Sequence, residues 1–348
     1  MGLLLAVLLF CGGLALIIKG GGILVDSAIG LGKITRMSTV FIGATFMAVA
    51  TALPELFLSI FAVTSGNHGM ATGNAIGGMI ANMGLVLGLY LAFMPTRVNK
   101  KEVAFKNFFL MLTLLALFWV VRDLRVTWVE GVFLISGFAL YLYISTKRES
   151  PRKSPLSTAE KESTATEIKE LATTDKHRSL FSPSSKNFLG DSQEYSNLKR
   201  KTLLGFLFGQ VLLIGGAFLL VKNGEHIAMI LDLSETFIGF TLIAIGTSAP
   251  ELTTVFTSIK RKKGDLALGN ILGANIITAT LLMGTLGILG GVPIGHQTLV
   301  VGLPILALVS MLAILPILIK GRTYRWQGVA LLLIYTAYIL YLGLLQMG

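Results

Sequence analysis

The feature that most constrains this chain is a duplication built around a charge. Residues 240–254 form an apolar stretch interrupted by Gly246, Thr247, Ser248, Pro250 and Glu251, and a second such stretch at 44–56 ends in Pro54, Glu55 and Leu56. A carboxylate at mid-depth of a bilayer-spanning helix costs roughly 2.5–3.5 kcal/mol on insertion scales unless it is paired or solvated. Proline adds a second cost, because it has no N–H and leaves the carbonyl four residues earlier, Gly246 for Pro250, without its helical partner. A freed carbonyl, hydroxyls and a carboxylate at one depth have the makings of a cation site.

The two stretches are copies. Adding 196 to a residue number carries Thr51, Pro54 and Glu55 onto Thr247, Pro250 and Glu251, and Phe41-Ile42-Gly43 onto Phe237-Ile238-Gly239. The same offset carries Gly73, Asn74, Gly77, Ile80 and Gly88 onto Gly269, Asn270, Gly273, Ile276 and Gly284. Between residues 38 and 88 about one position in three is identical to its counterpart.

The 348 residues are 53% hydrophobic and 14% charged. Soluble domains carry about a quarter charged residues, so the class is membrane protein. Ten segments are long and apolar enough to span, at about 3–28, 38–64, 71–94, 104–121, 127–146, 203–229, 236–259, 266–291, 298–319 and 326–346. Each is near or above the ~20 residues a spanning helix needs. Each copy then holds five spans, an odd number, so the copies enter the membrane in opposite orientations. That is the inverted-repeat plan of secondary transporters, whose site lies near the midplane at the repeat interface. The expected fold is an all-α polytopic membrane protein, ten transmembrane helices in two inverted five-helix repeats. Residues 1–146 form the first (motif 43–88) and 202–348 the second (motif 239–284). Residues 147–201, rich in Ser, Thr, Lys and Glu, read as a mostly disordered linker.

Charge sets an expected orientation. Lys33, Arg36, Arg97, Lys100, Lys101, the linker, Lys260 to Lys263, Lys320, Arg322 and Arg325 fall on one side, and Arg122 and Arg125 on the other. The positive-inside bias makes the first side cytoplasmic, with both termini outside, in the cell membrane. It also explains the net charge of +11 without nucleic acid. The N-terminus lacks the basic start of a signal peptide and reads as a retained span. Cys11, the only cysteine, forms no intrachain disulfide. Lys19, Asp26, Lys222, Glu225 and His226 lie toward span ends and read as interfacial charges or gating groups. The lipid bilayer is the one large partner implied, with no obligate protein partner and no cofactor.

Inverted symmetry brings Glu55 and Glu251 to face each other. Two such carboxylates repel, and one protonates unless a cation bridges them. With carbonyl and hydroxyl oxygens around them they suit Ca²⁺ or Na⁺, and two carboxylates neutralise one Ca²⁺. Gly73, Gly77, Gly269 and Gly273 let helices approach closely. Asn74 and Asn270 are expected to cap broken-helix ends or to contact the ion. Asn82, Asn275 and Thr278 add neutral oxygens at depth.

The paired motifs resemble the alpha repeats of the sodium/calcium exchanger superfamily, whose pattern is Gly-Thr-Ser-x-Pro-Glu followed by Gly-Asn-x-x-Gly-Ser-Asn-x-x-(Asn/Asp). The second copy reads Gly246-Thr-Ser-Ala-Pro-Glu251, then Gly269-Asn-Ile-Leu-Gly-Ala-Asn-Ile-Ile-Thr278. The first reads Ala50-Thr-Ala-Leu-Pro-Glu55, then Gly73-Asn-Ala-Ile-Gly-Gly-Met-Ile-Ala-Asn82. The resemblance covers everything but the linker. It implies Na⁺/Ca²⁺ antiport by alternating access, with Glu55 and Glu251 as ligands shared by both ions. It also implies ligands from the carbonyls of Thr51, Thr247, Ala48 and Ala244, the Ser248 hydroxyl and Asn82, and sliding of the first and sixth spans over the other eight.

This chain departs from the pattern at Ala52, Gly78 and Ala274, where the family has Ser, at Met79, where it has Asn, and at Thr278, where many members have Asp or Asn. The alternative they raise is a Ca²⁺ or other divalent cation/H⁺ antiporter with weakened Na⁺ sites. A channel conflicts with an inverted repeat. An intramembrane hydrolase using Ser248 would need a His or Lys base at its depth, and no histidine lies there. The expectation is a transporter and not an enzyme.

Overall fold

The computed structural model describes residues 2–35, 37–95, 100–148, 191–230 and 244–347. In chain order the helices are α1 (Leu3–Thr35), α2 (Thr39–Thr64), α3 (His68–Phe93), α4 (Lys100–Val120) and α5 (Trp128–Arg148). The second half has α6 (Asp191–Ile230), a turn of helix at Ala244–Thr247, α7 (Ala249–Lys260), α8 (Gly264–Ile288), α9 (Thr298–Lys320) and α10 (Arg325–Met347). Among the described residues nine helices are long and apolar enough to cross a membrane. The expected seventh span, 236–259, lies partly outside the described residues, as does its Phe237-Ile238-Gly239 start.

Local signals set the boundaries. Ser38 caps α2 by accepting a hydrogen bond from the Phe41 N–H at 3.2 Å. Thr127 and Glu130 form a reciprocal capping box at α5, the carboxylate accepting from the Thr127 N–H at 2.8 Å and the hydroxyl from the Glu130 N–H at 3.4 Å. Gly321, at φ 65°, ends α9 in the left-handed region that glycine enters without strain. Between the helices, an antiparallel pairing of β1 (Arg125–Val126) with β2 (Val292–Pro293) ties the two halves together.

Two boundaries need correction. Residues 191–201, expected in the linker, are helical, because α6 begins at Asp191 and runs 40 residues. The rest of the expected linker, from residue 149 to 190, lies outside the described residues. The first span also runs past residue 28 to Thr35.

The inverted symmetry is written in glycine contacts. A Cβ on Gly13 would stand 2.7 Å from the Gly216 carbonyl oxygen, and one on Gly216 would stand 2.8 Å from that of Gly13. Gly20 and Gly209 approach in the same reciprocal way, at 2.9 and 3.0 Å. By the 196-residue offset Gly13 corresponds to Gly209 and Gly20 to Gly216, so the pairs cross between halves and pack α1 antiparallel on α6. In hydrocarbon such close backbone approach is a main source of helix association. Elsewhere Gly88 meets Gly328, joining α3 to α10, and Gly131 meets Gly284, joining α5 to α8.

At the centre α8 presses on α2. A Cβ on Gly269 would collide with the Val40 carbonyl, and one on Gly273 with that of Ala44. Gly273→Ala should therefore cost about 1–3 kcal/mol through forced backbone shifts, read as a lower melting temperature of the detergent-solubilised protein. Gly12→Ala, with nothing within 4 Å of its Cβ, should leave the melting temperature unchanged.

Candidate cation site

Glu55 and Glu251 are both fully buried at the middle of the bundle, close enough for direct mutual repulsion. Glu55 Oε2 accepts a hydrogen bond from the Thr278 hydroxyl at 3.1 Å. Glu55 Oε1 and both oxygens of Glu251 have no hydrogen-bond partner among the described residues, although the Thr51 hydroxyl is turned toward Glu251. The Ser248 hydroxyl, both polar atoms of Asn82 and the Asn275 Oδ1 are likewise buried without partners. Buried polar atoms are nearly always hydrogen-bonded, so this concentration of bare oxygens marks a place that binds something.

The frame around the carboxylates is crossed between halves. Thr51 Oγ1 donates to Asn270 Oδ1 at 3.3 Å, and its counterpart Thr247 Oγ1 donates to Asn74 Oδ1 at 3.0 Å. Each Asn is then fixed by its own half. Asn74 Nδ2 donates to the Glu55 carbonyl at 3.2 Å and to Ser59 Oγ at 2.9 Å. Asn270 Nδ2 donates to Thr254 Oγ1 at 3.0 Å, which in turn donates to the Glu251 carbonyl at 2.9 Å. Asn74 and Asn270 cap no helix end: they sit well inside α3 and α8 and hydrogen-bond the carboxylate helices.

The backbone around the site leaves the α-helical repeat. Turns of π-helix occur at Gly43–Met47, Asn82–Val86 and Thr278–Leu282. The last two are repeat-equivalent, and each begins at a candidate ligand, Asn82 or Thr278. Single π turns inside helices recur at functional sites, because the extra residue releases backbone groups from the ladder. The third lies just before Ala48, and the buried Tyr141 hydroxyl donates to the Ala44 carbonyl there at 3.0 Å. Ala48 is buried, and its carbonyl accepts from the Thr51 hydroxyl at 3.4 Å. Ala244 is the first described residue of the second motif.

The two prolines behave differently. Pro250 sits in the first turn of α7, after a break at Ser248. Pro54, expected to break its helix as well, lies inside a continuous one spanning Ala48–Thr64. The carbonyl Pro54 deprives of a partner is that of Ala50, and Gln210 on α6 supplies the donor, its Nε2 standing 2.6 Å from that oxygen. The signal for Gln210 was present in the sequence: an uncharged amide in an apolar span, and a proline-freed carbonyl needing a donor.

Gly73, Gly77, Gly269 and Gly273 are all buried, the last two against the α2 backbone. Gly78 lies against the carboxylate itself, since a Cβ there would come 2.9 Å from Glu55 Oε1. Ala52, Met79 and Ala274 are buried and apolar where the family pattern has polar groups. Asn275 Nδ2 is spent on the Ile271 carbonyl at 2.8 Å. Among the described residues no group of three or more His, Cys, Asp and Glu side chains comes together, so the charge at this site rests on two carboxylates.

The sequence profile of the sodium/calcium exchanger protein family matches residues 5–147 and 201–344. The chain belongs to that family. It is 25% identical over 346 residues to the sodium/calcium exchanger MaX1 of Methanosarcina acetivorans, covering 95% of this chain and 96% of that one. It is 32% identical over 349 residues to an uncharacterised membrane protein of Methanocaldococcus jannaschii, covering 99% and 100%. The solved sodium-calcium exchanger NCX_Mj, soaked with 10 mM Na⁺ and 10 mM Sr²⁺, superposes with a TM-score of 0.75 at 27% identity, over 97% of this chain and 98% of that one. Two matches of one family profile agree with the two-repeat, all-helical fold.

Two measurements probe the frame. Tyr141→Phe should cost about 1–3 kcal/mol by leaving the Ala44 carbonyl unsatisfied, read as a lower melting temperature. A double-mutant cycle on Thr247→Val and Asn74→Ala should return a coupling of about 0.5–3 kcal/mol, and the cycle on Thr51 and Asn270 the same.

Proposed function

We propose that this chain exchanges Ca²⁺ against Na⁺ across a membrane by alternating access, acting as a transporter and not an enzyme. The observation that carries the reading is the pair of facing, fully buried carboxylates with three bare oxygens between them. Membership of the exchanger family and the likeness to MaX1 and NCX_Mj support it.

In this reading Glu55 and Glu251 share one Ca²⁺, whose two charges cancel theirs, and release it when Na⁺ ions divide the same oxygens. The carbonyls of Thr51 and Thr247 complete the central position. The carbonyls of Ala48 and Ala244 and the Ser248 hydroxyl serve flanking positions, Asn82 lies at the centre, and Thr278 holds Glu55 in place. Hard oxygens alone surround the ion, as Ca²⁺ and Na⁺ require. Residues 1–146 and 202–348 act as the two inverted repeats, the linker is cytoplasmic and both termini face outward in the cell membrane.

A second reading has its own support. Gly78 offers bare backbone to Glu55 Oε1, and Ala52, Ala274 and Met79 bring no polar group. Fewer oxygens on the first-repeat side leave Na⁺ poorly held there, and H⁺ on a carboxylate would then serve as the counter-ion. Uptake of ⁴⁵Ca²⁺ into proteoliposomes separates the two. A Na⁺ gradient should drive uptake, and Glu251→Gln should reduce it to the level of empty vesicles. Uptake driven equally by a pH gradient without Na⁺ would replace Na⁺ by H⁺, and wild-type uptake by the Gln variant would defeat both.

A further inference from the structure

Two of the polar contacts that tie the α1–α6 pair to the rest of the bundle have no counterpart under the repeat. Between α6 and α2 lies a cavity of about 250 Å³, lined by Pro54, Phe57, Ile214, Ala217 and Phe218 and reaching Thr247. At the opposite end α1 is pressed against α7. A Cβ on Gly21 would come 2.5 Å from Thr253 Cγ2. Beyond that contact the Arg261 guanidinium grips Asp26 with two hydrogen bonds, both 2.8 Å, in a largely buried pair.

The offset of 196 turns this into a comparison of states. Gly21 and Thr253 correspond to Ala217 and Phe57, and both of those line the cavity. One of two equivalent surfaces is thus in contact while the other is parted. In an inverted repeat the alternate state exchanges these arrangements by rigid-body motion of one bundle against the other. The closed end would then be made by Lys222 and Ser65, the counterparts of Asp26 and Arg261, and Lys with Ser forms no ion pair. Gln210, whose amide holds the Ala50 carbonyl, corresponds to Leu14, which has no donor. A charge-assisted bidentate pair and a hydrogen bond to a proline-freed carbonyl are both contacts whose loss leaves buried polar groups bare.

We propose that Asp26 and Gln210 are positioning residues that hold the α1–α6 pair with the Phe57–Phe218 crevice open and the Asp26 end shut. The alternate state forms neither contact, so the chain without ions rests in the state seen here and spends least time in the opposite one. With the orientation given under Proposed function the shut end is cytoplasmic. That side assignment rests on the functional reading, and the bias between states does not.

The test reads distance and no ion flux, so its failure leaves the proposed exchange standing. In a Cys11→Ala background, spin labels at Ser65→Cys and Lys222→Cys span the mouth of the crevice, and pulsed dipolar spectroscopy in nanodiscs without Na⁺ or Ca²⁺ gives their separation. A predominantly long distance is expected. Asp26→Asn and Gln210→Met should each enlarge the short-distance population roughly three- to tenfold, the range for one lost hydrogen-bonded contact. The charge-swapped pair Asp26→Arg with Arg261→Asp should restore the long distance and, by eluting as a single species, exclude misfolding as the cause. A residue whose substitution leaves the distribution unchanged has no positioning role, and unchanged distributions for both overturn the proposal. A folded charge swap that fails to restore the long distance overturns the ion-pair half of it.

Discussion

Like-charge repulsion between Glu55 and Glu251 is the constraint on which the rest of the structure depends. Two carboxylates at bilayer depth are stable together only with a cation or a proton between them, and the surrounding helices bring no basic side chain to them among the interactions described. One hydroxyl, from Thr278, touches Glu55. The amides of Asn74 and Asn270 are spent on backbone and hydroxyl oxygens, and that of Asn275 on its own helix. Backbone is offered where side chains are withheld, through π turns, prolines and the bare flank at Gly78. The protein therefore keeps its charge unsatisfied, which is what a site that must both load and unload requires.

The halves meet that constraint by different means. In the second half the proline coincides with an interruption of the helix at Ser248. In the first half the helix runs through Pro54, and side chains from three other helices take up the displaced carbonyls: Tyr141 at Ala44, Gln210 at Ala50 and Asn74 at Glu55. Two of these donors stand on helices packed into the core, whereas Gln210 stands on the partner of α1, across the crevice. The first motif is thus connected to the outer pair of helices through a hydrogen bond to its own backbone.

Much of this was legible in the sequence, for identifiable reasons. Apolar length marked the spans, a duplicated Pro-Glu marked the centre, and an odd number of spans per copy gave the inversion. The partners of Asn74 and Asn270 were not legible, because the residues they bind lie in another helix or in the opposite half. Nor were the π turns, since a register shift of one residue leaves no trace in hydropathy. Residues 191–201 read as linker because their composition is polar, and the structure makes them the start of α6. Asp26 read as an interfacial charge, and only the structure pairs it with Arg261 from the far half of the chain.

The crossed Thr–Asn hydrogen bonds have a consequence for how such a chain can arise. Thr51 finds an acceptor on Asn270, and Thr247 finds its own on Asn74, so each half supplies the side-chain acceptor for the other half's threonine. A single half inserted alone would lose both of these crossed contacts. A second copy inserted upside down would restore them.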